Sequence, residues 1–87
     1  MNRLFIINVG SLEIRGLISP GELPEVVRLF YGTSAQRGAK ADYLGEGKFV
    51  AVKNEIQLTL TIGEHHKAIP SRMLFEVLEE VMDQFFL

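Results

Sequence analysis

Leu4-Phe5-Ile6-Ile7-Asn8-Val9 is an apolar run rich in β-branched and aromatic residues, and it predicts a strand over 4–9. Leu4 and Ile6 fall on one face, and Phe5, Ile7 and Val9 on the other. An interior strand covered on both sides is therefore expected. Gly10-Ser11 has the Gly-X form of a tight hairpin turn. Leu12 to Ile18 returns with Leu12, Ile14 and Ile18 on one face and Glu13 and Arg15 on the other.

Ser19-Pro20-Gly21 ends that strand, and Pro24 suits the first turn of a helix. Leu23, Val26, Val27 and Phe30 recur at helical spacing, and Gly32 after Tyr31 is the expected stop. A structureless stretch from Gly32 to Gly47 would be unusually long for a compact domain. Ala39 to Leu44 is instead read as a third strand, turned by Gly45-Glu46-Gly47 into Lys48 to Lys53. After a Lys53-Asn54 turn, Glu55 to Ile62 alternates strictly between apolar and polar positions, which predicts a strand with one packed face. A last helix is expected from Pro70 or Ser71, with Leu74, Val77, Leu78, Val81, Met82 and Phe85 on its apolar side.

The expected fold is α+β, an antiparallel sheet of four or five strands with two helices in the order β-β-α-β-β-β-α, as one domain over residues 1–87. In element order alone this resembles the longin and roadblock group of small modules. That resemblance implies a five-stranded antiparallel sheet flanked by helices, with the first and last strands central, serving as a dimeric or docking platform.

Composition narrows the chemistry. The 87 residues contain no cysteine, which excludes a disulfide scaffold, a thiol nucleophile and a Cys-ligated metal centre. The net charge of −2 gives no basic excess of the kind nucleic acid attracts, but the charge is unevenly spread. Residues 28–53 hold Arg28, Arg37, Lys40, Lys48 and Lys53 against Asp42 and Glu46, whereas residues 54–87 hold six acidic groups against Lys67 and Arg72. The apolar run at 4–7 is far short of the ~20 residues a spanning helix needs, and it lacks the marks of a signal peptide. A cytoplasmic protein without membrane contact is expected.

Few residues point to catalysis. His65 and His66 are adjacent, so on an extended chain they point apart, and a polar or pH-sensitive contact suits them better than a metal site. Gly32 to Lys40 has neither the spacing nor the strand-to-helix setting of a phosphate loop. Ser11, Ser19, Ser34 and Ser71 are read as turn or cap residues. No cofactor is implied, and no constellation names a reaction.

Two binding readings come first, and a small enzyme of unknown reaction is third. The last helix carries apolar side chains around much of its circumference, more than one stripe on a sheet requires. This predicts a protein-binding domain, such as an inhibitor, adaptor or accessory subunit, that contacts another protein and itself as a homodimer. Phe75, Met82, Phe86 and Leu87 would form the apolar contact, and Glu79, Glu80 and Asp83 would steer a basic partner. A sheet edge offers a second route to the same end. The alternative is a nucleic-acid or anionic-ligand site built from Arg28, Arg37, Lys40, Lys48 and Lys53, with Tyr43 or Phe49 as a stacking ring.

Overall fold

The computed structural model describes residues 3–64 and 74–86. Five strands and two helices follow one another as β1 (Arg3–Val9), β2 (Leu12–Ile18), α1 (Leu23–Gln36), β3 (Lys40–Gly45), β4 (Lys48–Lys53), β5 (Ile56–Glu64) and α2 (Leu74–Phe85). All pairings are antiparallel and the strand order is β2-β1-β5-β4-β3. The first and last strands thus sit side by side in the interior, and β2 and β3 are the two edges. The stretch from Lys40 to Gly45 is a true strand, so the sheet has five strands and not four.

Turn chemistry sets the register. Gly10 is at φ +58° as the first residue of the β1–β2 turn. Glu46 and Gly47, at +54° and +77°, close the β3–β4 hairpin with both central residues left-handed, as a primed two-residue turn requires. Gly47 has a second reason to be glycine. A Cβ there would lie 2.1 Å from the Ile62 carbonyl oxygen, in the place where the Ile62 N–H donates to the Gly47 carbonyl.

The register places Phe5, Ile7 and Val9 of β1 on the same face as Ile14 and Ile18 of β2, Leu58, Leu60 and Ile62 of β5, and Phe49 and Ala51 of β4. That face meets Val26 and Phe30 of α1 and Leu78, Val81 and Met82 of α2 in one core. Gly16 belongs to it by absence: its partner Phe5 lays its ring across the position, and an added Cβ would come within 2.6 Å of that ring.

Both helices cover this one face. The expectation that β1 is covered on both sides is corrected accordingly. Leu4 and Ile6 lie on the opposite face and are half-buried by their neighbours in the sheet, with no layer over them among the described residues.

Helix α1 is longer than the sequence suggests. Gly32 lies inside it, and the stop comes at Gly38, at φ +75°. There the Gly38 N–H donates to the Ala35 carbonyl and the Ala39 N–H to the Ser34 carbonyl, the paired bonds of a Schellman cap. The added turn buries Thr33 and Ser34. Ser34 is therefore no loop residue: its hydroxyl donates to the Phe30 carbonyl at 2.6 Å within the helix. At the other end a short 3-10 turn, Pro20–Glu22, leads into α1, and the Glu22 carboxylate accepts from the Ser19 N–H at 3.3 Å and the Ser19 hydroxyl at 2.7 Å. The expected start of α2 at Pro70 or Ser71 lies outside the described residues.

Candidate functional site

The surface expected on α2 is largely core. Met82 and Phe86 are 0% exposed and belong to the intramolecular cluster, so neither offers a face to a partner. The Phe86 N–H donates to the Met82 carbonyl at 2.8 Å, which carries the helical winding on far enough to turn that ring inward. Phe75 is half-buried and lines the groove between the helices with Leu29, Thr33 and Gln36 of α1. Glu79 and Glu80 are exposed, and Asp83 is taken up by an ion pair with Arg37. Leu87 lies outside the described residues. What α2 shows to solvent is Glu76, Glu79, Glu80 and Gln84, a polar face.

The cause is the width of the sheet. Five strands leave room for α1 and α2 side by side, so α2 packs downward on the strands and sideways on α1. Leu78, Val81, Met82 and Phe86 of its apolar arc are buried within the chain, and Phe75, Val77 and Phe85 are half-buried.

The five cations of the second candidate site do not converge. Arg37 ends α1 and is tied to Asp83 of α2. Arg28 is exposed on α1, in the groove that also holds Glu25 and Glu79. Lys40 and Lys48 share the sheet face away from the helices but stand at opposite ends of the β3–β4 hairpin. Lys53 ends β4 on the other face. The segment from Gly32 to Gln36 is helical, so it presents no glycine-rich amide nest.

His65 and His66 lie outside the described residues. Among the described residues no group of three or more His, Asp or Glu side chains could hold a metal ion. None of the described helices is long and apolar enough to cross a membrane.

The exposed apolar side chains gather elsewhere. Tyr43 is 52% and Leu44 62% exposed, the two largest exposures among the bulky hydrophobics described, and both lie on the edge strand β3. Leu44 sits in a bulge, where the pairing to β4 shifts between Tyr43 and Gly45. The Tyr43 ring packs on Phe49 at 4.8 Å, and its hydroxyl accepts the Gly47 N–H at 3.1 Å. Tyr31 of α1 closes on the same Phe49 ring at 6.3 Å, edge to face. These rings line a cleft of about 660 Å³ with Leu23, Val27 and Ile62, and Arg3 and Glu46 supply its charges. Comparison with protein-family models, curated proteins and solved structures finds no match.

The chemistry of this corner is that of contact. It joins a backbone edge with no strand beyond it among the described residues to two partly exposed tyrosines and a bulged leucine. Tyrosine is favoured at protein interfaces because one end is apolar and the other makes hydrogen bonds. Sequence reading names Tyr43 only as a stacking ring and does not single out Leu44. The signal lies in the strand itself: Tyr43 and Leu44 are consecutive bulky residues directly before the Gly45-Glu46-Gly47 turn.

The opposite edge differs in its charges. On β2, Glu13 and Arg15 pair with each other at 2.9 Å. On β3 the equivalent alternation, Lys40 and Asp42, makes no ion pair among the described residues. Their cross-strand neighbours on β4 are the apolar Val52 and Val50.

Proposed function

We propose that this chain is a protein-binding domain that self-associates through the edge strand β3. The observation that carries the reading is that the two most exposed bulky hydrophobics among the described residues, Tyr43 and Leu44, both lie on a sheet edge. An edge strand carries a row of unpaired N–H and C=O groups, and adding a strand satisfies them. A second chain docked there would also cover apolar surface that the monomer leaves in water. Helix α2 gives such a contact little to work with, since its buried apolar residues are used inside the chain.

Sedimentation equilibrium across a wide concentration range tests the reading. The expected result is a rise in mass from the 9.8 kDa monomer toward twice that value. Leu44→Asp should weaken the association and leave the melting temperature almost unchanged, because surface substitutions usually stay within about 0.5 kcal/mol. A strict monomer at every concentration would contradict it.

A further inference from the structure

We infer that two copies pair their β3 strands antiparallel about Ala41, so that Lys40 of each faces the partner's Asp42. The inference rests on the self-association reading above and names its register. In an antiparallel pair, residues directly opposite one another point to the same side of the sheet. A two-fold axis perpendicular to the sheet keeps both helix layers on one side, so each residue of β3 must oppose one from the same face. The pairing is then centred on a residue and not between two.

Four centres are available, and the sequence of β3 separates them. Centring on Lys40 sets two lysines against each other, and centring on Asp42 sets two carboxylates against each other. Like charges directly opposite are destabilising. Centring on Tyr43 runs both strands through the bulge at Leu44, where the ladder is already broken. Centring on Ala41 brings two alanines together at the axis and forms two Lys40–Asp42 pairs by symmetry.

Within β3 this register pairs Lys40–Asp42 of each strand and stops before the bulge. It also uses the two charges on β3 that make no ion pair among the described residues, whereas Glu13 and Arg15 on β2 already satisfy each other. The bulge then limits the paired length and discourages addition in any longer register.

The test is a charge exchange read by sedimentation or by dilution calorimetry. Lys40→Asp and Asp42→Lys each turn two attractive contacts into two repulsive ones. Each should raise the dimer dissociation constant at least about tenfold, given the usual strength of cross-strand charge pairs. The double variant K40D/D42K should return to within about threefold of the native value. Mixing the two single variants should also restore association. One chain then carries carboxylates at both positions and the other carries ammonium groups at both, so each opposed pair is again of opposite sign. The mixture guards against misfolding, since an unfolded variant cannot be rescued by another.

If K40D dimerises like the native chain, the register is wrong and self-association stands. If the native chain is monomeric, the underlying reading fails and the register with it.

Discussion

Truncating Phe86 to alanine separates a core role from a surface role for the end of α2. Phe86 is 0% exposed, sits in the cluster with Leu78, Val81 and Met82, and is fixed by its N–H to the Met82 carbonyl. Removing a buried phenyl ring loses its transfer free energy and leaves a cavity, at a cost of about 3–5 kcal/mol. Native domains have only about 5–15 kcal/mol in total, so the variant should lose a large share of its stability.

Urea denaturation followed by circular dichroism gives the number directly, provided the slope of the transition is unchanged. The loss should be the same at low and high protein concentration, since a core contact within one chain does not depend on mass action. Glu80→Ala on the exposed face of the same helix should change stability by less than about 0.5 kcal/mol. A loss under about 1 kcal/mol for Phe86→Ala would refute the placement. So would a loss that develops only where the protein is dimeric.

Two further experiments probe the packing of the core and of the two helices. Gly16→Ala should cost about 1–3 kcal/mol in thermal or urea unfolding, because its Cβ meets the buried Phe5 ring, and Phe5→Leu in the same chain should recover part of that loss. The Arg37–Asp83 pair ties the end of α1 to α2 and is partly exposed on both sides. A double-mutant cycle with alanine at both positions should therefore return a coupling of only about 0.2–1 kcal/mol, reduced at high salt.

Much of this fold is legible in the residue pattern because local chemistry and tertiary packing agree. The strict alternation from Glu55 to Ile62 brings Leu58, Leu60 and Ile62 into the core, and Ile56 at its start is exposed. The Gly-X turn at Gly10-Ser11 and the glycines around Glu46 define hairpins for backbone reasons visible in sequence.

The misplaced end of α1 has a different origin. Gly32 is a poor helix residue, but its cost of about 1 kcal/mol is outweighed when the next turn buries Thr33 and Ser34 and ends in a Schellman cap at Gly38. That gain is tertiary and leaves no mark at Gly32 itself. The candidate site is obscured in the sequence for a related reason. The apolar arc of α2 looks excessive against a sheet alone, and only the placement of both helices on one face shows that Met82 and Phe86 are core while Phe75 is half-buried in the groove between the helices. Arg37 and Asp83 lie 46 residues apart, so their pairing is likewise hidden until the helices are placed.

The β3 edge as the contact surface is tested most directly by amide hydrogen exchange resolved by residue and repeated at increasing protein concentration. Outward-facing amides of Lys40–Gly45 should gain protection as concentration rises, with little change along β2 or on the exposed face of α2. Exchange in β3 that is independent of concentration would contradict the claim, as would new protection confined to β2 or α2.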